Sequence, residues 1–241
     1  ARVIERVSYA AVFGATALVC AVAIYRAGWL RTDDACVGLR ALLVIVGLWS
    51  AVQSAQFLAP DSLLEPLYLL AQVTGFASVG AWLYFCSAYT GRQYHRQRRY
   101  WIAGLATYGT VTAVKLTQPI HRSYVETRVV GDPFRYLLVD PEPVYWAVLL
   151  GAYLLAAVGF YWLFESLSGA ERSTAGVGVF VSIAGLASLP TVVSLFRPEL
   201  LAPVNYEPIG VAVFAFGVLY LVESTFLAVH RDDRYGLRTD G

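Results

Sequence analysis

The chain has 241 residues, of which 58% are apolar and 15% charged, with a formal net charge of +1 and a mean hydropathy of +0.57. A soluble domain needs about 25% charged residues to wet its surface. The shortfall, and the clustering of the remaining charges between long apolar runs, defines an integral membrane protein. The near-zero net charge supplies no overall field for nucleic acid.

In chain order, the first apolar run covers residues 7–25 and ends in the charged stretch 26–40. No small-residue cleavage pattern follows it, so it reads as a retained helix. A second run, 37–58, stops at Ala59-Pro60-Asp61, and a third, 66–89, opens on Pro66 as a first-turn proline and closes on Thr90-Gly91. Beyond lies a basic string containing Arg92, Arg96, Arg98 and Arg99. The fourth run, 100–116, is the shortest and is delimited by Pro119.

The longest connection, 117–143, carries two β-branched and aromatic stretches around Gly131-Asp132-Pro133. That pattern predicts a small extracellular β-hairpin. Runs five to seven cover 144–163, 174–196 and 209–229. Each run approaches the roughly 20 residues that a bilayer span needs. The expected fold is therefore an all-α, seven-transmembrane-helix bundle in the cell membrane, comprising residues 1–230 with a short tail over 231–241.

Seven spans put the two ends on opposite sides. Arginine crowds the first, third and fifth connections and the tail, whereas the opposite side carries Arg2, Arg6 and Arg197 in its short segments. Lys115, Arg122, Arg128 and Arg135 surround the long connection. The positive-inside bias predicts the N-terminus and the long connection outside and the tail in the cytoplasm. Trp29, Trp101 and Trp146 near the ends of runs fit an interfacial aromatic belt.

Chemistry-bearing motifs are scarce. Lys115 is the only lysine, at the outer end of the fourth run, which argues against covalent retinal and leaves no cofactor expected. Cys20, Cys36 and Cys86 have no CxxC spacing, and Cys20 and Cys86, inside apolar runs, read as small packing residues. His95, His121 and His230 are far apart, no pair having metal-ligand spacing. HExxH, GxSxG and the phosphate-binding glycine boxes are missing from the sequence, so the chain is not expected to be an enzyme.

Several segments in order resemble one family. Residues 82–92 (WLYFCSAYTGR) look like the third-helix ending of the seven-transmembrane region at the N-terminus of many histidine kinases. Leu116-Thr117-Gln118-Pro119-Ile120-His121 resembles that family's motif after the fourth helix, with Gln118 where asparagine is usual. Pro143-Val144-Tyr145-Trp146 resembles its fifth-helix start, and Glu207-Pro208-Ile209-Gly210 the approach to the seventh, with Asn205 where an acidic residue is usual. The resemblance implies a sensory input domain that relays an extracellular or membrane signal to a cytoplasmic output module and dimerises through the parent kinase. No kinase module follows within the sequence, so the chain is either the input half of a longer protein or a stand-alone sensory unit.

Candidate sites follow with their plainer alternatives. His121, Gln118, Tyr124, Asn205, Tyr206 and Glu207 are expected to converge at the outer mouth on a small-molecule or lipid ligand. For His121 the plainer reading is an interfacial histidine capping the fourth helix. Gln53, Gln56 and Gln72 are expected to hydrogen-bond between helices, with a polar cavity as the alternative. Glu223 and Pro190 are assigned to signal relay, Glu223 because an ionisable group within a span is costly without a role, its plainer reading being a protonated carboxyl bonded to its own helix. Neither Glu165 nor Glu223 has an obvious basic partner in the sequence. Glycines such as Gly75 and Gly80 read as sites of close helix packing, and the Arg92–Arg99 string as a topology anchor or a lipid-headgroup contact. A small-solute transporter and a purely structural membrane subunit are the competing functions.

Overall fold

A computed structural model describes residues 2–27, 34–131, 134–168, 206–217 and 219. The sixth run, most of the seventh, the tail, and with them Pro190, Asn205 and Glu223, lie outside the described residues. The described residues are mostly helical, with one two-stranded sheet. Among them four helices are long and apolar enough to cross a membrane: α1 (Arg2–Ala27), α2 (Asp34–Leu58), α3 (Asp61–Tyr89) and α6 (Pro143–Ser168). Between them lie α4 (Arg98–Leu116), the single turn α5 (Gln118–His121), and strands β1 (Val125–Val130) and β2 (Tyr136–Pro141). A further apolar helix, α7, covers Glu207–Gly217.

The helices start earlier than the apolar runs because their first turns are polar: α2 opens on Asp34 and α3 on Asp61, just after Pro60. An acid in the first turn is favoured by the helix dipole although it ends the hydropathy signal. Pro66 consequently sits inside α3 rather than in its opening turn. The C-terminus of α3 falls where the Thr90-Gly91 pair placed it. Gly91 adopts φ 70°, the left-handed conformation open to a residue without Cβ. The Arg92 N–H then donates to the Ser87 carbonyl at 2.9 Å and the Gly91 N–H to Ala88 at 3.2 Å, a Schellman closure.

Helices α1, α2 and α3 pack in sequence, and α6 packs on α3. Lipid tails give helices no hydrophobic reason to associate, so close fit must do it, and small residues permit the closest approach. A Cβ at Gly38 would lie 2.7 Å from the Phe85 Cα, so α2 and α3 touch backbone to backbone there. Gly159 of α6 receives the Trp82 indole and the Cys86 thiol in the same way. Gly75 meets the Trp49 ring, whereas Gly80 has nothing against it. Cys20, Cys36 and Cys86 are buried free thiols. Ser54 adds an interhelical hydrogen bond to the Ala10 carbonyl at 2.7 Å.

The hairpin expected in the long connection is present. β1 and β2 pair antiparallel from Val125↔Pro141 to Val130↔Tyr136. It is tied to the ends of three helices: Phe134 and Tyr136 pack with Ala10, Phe13 and Phe57, and Arg135 pairs with Asp61 at 2.5 Å. Arg6 binds the carbonyls of Phe57 and, at 2.8 Å, Ala59, satisfying the open C-terminus of α2. The bundle thus has a hairpin end and, opposite, a loop end carrying the Arg92–Arg99 connection.

A candidate ligand cavity at the hairpin end

Between α2, α3, α4, α6, α7 and Tyr124, just ahead of β1, lies a cavity of about 260 Å³, just below the ~300–1,000 Å³ usual for small-molecule clefts. Its lining runs along α3 from Gln72 to Trp82, roughly 15 Å at the helical rise. The deep part is aromatic. Trp82, Phe160 and Phe214 meet with ring centroids 4.9 Å apart for each Trp82 pair and 5.5 Å for the two phenylalanines. The Trp82 indole N–H is spent on the Ala156 carbonyl at 3.1 Å, so this end offers an apolar surface.

Polar groups gather at the other end. Lys115, the last basic residue of α4, is 2% exposed. Its ammonium donates to the Gln72 carbonyl oxygen at 2.7 Å and lies 5.0 Å from the Phe76 ring centroid and 5.7 Å from that of Tyr124. Glu207 also lines the cavity and accepts a hydrogen bond from the Tyr153 hydroxyl at 3.0 Å. The Tyr124 hydroxyl approaches the Gln72 side-chain oxygen at 3.4 Å, and its ring tilts against Tyr145 at 5.4 Å. Burial, with smaller contributions from Tyr145 and Glu207, raises the Tyr124 phenol above its ordinary pKa.

The sequence-predicted residues separate into groups. Tyr124 and Glu207 line the cavity. Gln118 is buried one layer behind: its carbonyl oxygen accepts the Tyr124 N–H at 3.0 Å and its amide donates to the Val125 carbonyl. It thereby serves the backbone as a short extra strand would. His121 is exposed, with Nε2 against the Val114 carbonyl at 2.9 Å and Nδ1 accepting the Ser123 N–H at 3.0 Å. Those bonds match the helix-capping alternative. Tyr206 packs toward Phe13, at 6.5 Å between centroids, in the aromatic cluster under the hairpin. Gln56 bonds across to the Leu64 carbonyl at 3.5 Å, and Gln72 faces the cavity.

Sequence reasoning missed Lys115 as a site residue, having placed it at the outer end of its run. A lone lysine at the close of an apolar stretch, Thr112-Ala113-Val114-Lys115-Leu116, is the signal that could have found it.

The loop end holds a different constellation. Asp34 Oδ2 accepts from Arg96 Nε at 2.8 Å and Nη2 at 2.5 Å, and meets His95 Nε2 at 3.0 Å. His95 Nδ1 lies 3.0 Å from the Ser87 hydroxyl. This serine is buried, also receives the His95 N–H and approaches the Arg92 carbonyl. It caps the α3–α4 connection rather than facing a substrate. Arg92 pairs with Glu165 at 2.5 Å, supplying the partner that was not evident in the sequence. Among the described residues no cluster of His, Cys, Asp or Glu could hold a metal ion.

The described residues form a bundle of apolar helices with a small hairpin and a cavity at one end. The family model for the N-terminal 7TM region of histidine kinase matches residues 11–226, and the chain belongs to that family. A search of curated proteins finds no match.

Proposed function

We propose that the chain is the seven-helix sensory domain of a two-component histidine kinase, multi-pass in the cell membrane. Its N-terminus and hairpin lie outside, and a signal bound at the hairpin end is relayed to a cytoplasmic output module. The family match over 11–226 carries this reading. The arginine distribution supports the orientation, and the cavity supplies a place for a stimulus to act.

In this reading Tyr124 and Glu207 contact the ligand directly, joined by Lys115. Gln118 and His121 act as positioning residues that fix the backbone leading into Tyr124, and Tyr206 and Asn205 hold the approach to α7. A ligand shifts such a bundle only by favouring one helix arrangement over another. The cavity touches α3, α6 and α7 together, so occupancy acts on their relative packing. Glu223 and Pro190 belong to the relay, and the domain dimerises through the parent kinase.

The test is a fusion of a PAS–kinase output module after residue 241, reconstituted in proteoliposomes. Autophosphorylation should change when the cavity is filled, for example by Ala152→Phe. Output indifferent to every cavity-filling change, in folded protein, would refute the sensory role. Labelling of single cysteines placed at Gly131 and Arg238 decides the orientation, with the former reached from outside and the latter only from inside.

A further inference from the structure

The sensory reading leaves the stimulus open, and one buried charge narrows it. Lys115 lines the cavity and is 2% exposed. An ammonium carries three donors. Among the described residues one acceptor, the Gln72 carbonyl oxygen at 2.7 Å, serves that of Lys115. The ring faces of Phe76 and Tyr124 ease its burial by cation–π attraction. No carboxylate among the described residues forms an ion pair with it. Glu207, on the same cavity, is half-buried and held by the Tyr153 hydroxyl and a further interaction. Tyr145 adds a second unused donor. It lines the cavity against Tyr124, and its hydroxyl has no hydrogen-bond partner among the described residues.

A buried ammonium with one neutral acceptor is costly, and an anion relieves that cost through charge-assisted hydrogen bonds, which are the strong ones. A cationic ligand would confront Lys115 and be repelled. A wholly apolar ligand would displace water from the ammonium and give nothing back. A dianion such as a phosphate monoester would outnumber the one cation, and sites for such groups gather helix N-termini or arginine forks. A carboxylate matches what is present. It brings one charge and two oxygens to one ammonium and one phenol.

On these grounds, and resting on the sensory reading above, we propose that the cavity binds a compact monocarboxylate with an apolar body. Its carboxylate lies on Lys115, with Tyr145 as the second donor. Its body points down α3 onto the Trp82–Phe160–Phe214 floor. The cavity volume of about 260 Å³ favours a free solute over a long acyl chain.

The test uses the full chain in phosphatidylcholine nanodiscs. Binding is read by tryptophan fluorescence, since Trp49 and Trp82 line the cavity. The probes are 3-phenylpropanoate, 3-phenylpropanol and 3-phenylpropylamine, which share a body and differ in charge. Oleate serves as a carboxylate carried by the bilayer. The compact carboxylate is expected to bind at least about tenfold more tightly than the alcohol, the gain from a charge-assisted hydrogen bond, and the amine more weakly still. Lys115→Met should abolish the preference over the alcohol. Tyr145→Phe should weaken carboxylate binding about threefold, and Glu207→Gln should keep the preference. Should Lys115→Met fail to fold, the probe series on the unaltered protein and on Glu207→Gln decides.

Equal binding of the alcohol or the amine to the unaltered protein, or no saturable carboxylate binding, overturns the proposal. So does a preference that survives Lys115→Met or is lost in Glu207→Gln. Displacement of 3-phenylpropanoate by a small mole fraction of oleate also overturns it, in favour of a carboxylate drawn from the membrane. The expected selectivity without any change in the output of the kinase fusion supports the ligand class and sinks the sensory role. Output driven equally by the alcohol sinks the ligand class and leaves the sensory role standing.

Discussion

The hairpin end and the loop end of the bundle use similar side chains for opposite purposes. At the loop end Asp34, His95 and Arg96, and separately Arg92 and Glu165, are spent on one another. They tie the start of α2 to the α3–α4 connection and the end of α3 to α6. At the hairpin end Lys115, Glu207 and the tyrosines face a shared space. Mutually satisfied polar groups hold helices together; convergent groups around a void make a recognition site. The difference teaches where a ligand can act and which contacts would resist or transmit the movement it causes.

The contrast can be broken most severely through packing at the loop end. Gly38→Ala would drive a methyl group into the Phe85 backbone, which cannot swing aside as a side chain could. The expected loss is on the order of 3 kcal/mol, the upper part of the overpacking range. Thermal unfolding in detergent would show a clear fall for Gly38→Ala and little for Gly80→Ala, where nothing lies within reach.

Next in size is Gln118→Leu, which strips the Tyr124 N–H and the Val125 carbonyl of their partner. Leaving such buried backbone groups unmatched costs about 2 kcal/mol. Hydrogen exchange should quicken in Val125–Val130 while the buried stretch of α2 stays protected. Uniform loss of protection would mean that the hairpin is not a separable unit.

A smaller effect is expected from Asp34→Asn and His95→Ala, since the group they share is only partly buried. Each should lower the unfolding midpoint slightly, and the double variant should lose less than the sum of the singles, because the Asp34–His95 contact is shared while Asp34–Arg96 and His95–Ser87 are broken separately. Additive losses would show that the two residues act independently.

The least effect belongs to Arg92→Ala. The Arg92–Glu165 pair is solvent-accessible, with the two side chains 27% and 52% exposed, and such pairs contribute less than about 1 kcal/mol. Its contribution should vanish at about 1 M salt, where charges are screened within ~3 Å. A salt-resistant loss would place the pair in a drier setting.

Much of the fold was legible in the primary structure. The four long apolar helices among the described residues appear as uninterrupted apolar runs, and the hairpin appears as β-branched stretches around Gly131-Asp132-Pro133, because both signals are local. Helix starts were misread by several residues at Asp34 and Asp61, where polar first turns break hydropathy without breaking the helix. Of the candidate site, Glu207 stands in a segment that carries the family resemblance, and Tyr124 was reached as a neighbour of His121 at the expected outer mouth. Lys115 was passed over because its burial is not local. It depends on Gln72 and Phe76 of α3 and on Tyr124 closing over the end of α4.

By itself, then, the sequence determined that this protein is a membrane bundle of apolar helices with a hairpin in its longest connection. Backbone groups in a bilayer leave few other solutions. It also carried the family, written in short motifs whose order spans the chain. Only the tertiary structure decided which polar residues face each other and which face a void. Lys115 in α4, Gln72 in α3 and Glu207 in α7 are far apart along the chain. Their meeting around one cavity follows from helix packing, and a charge acquires its partner only when the fold brings that partner within reach.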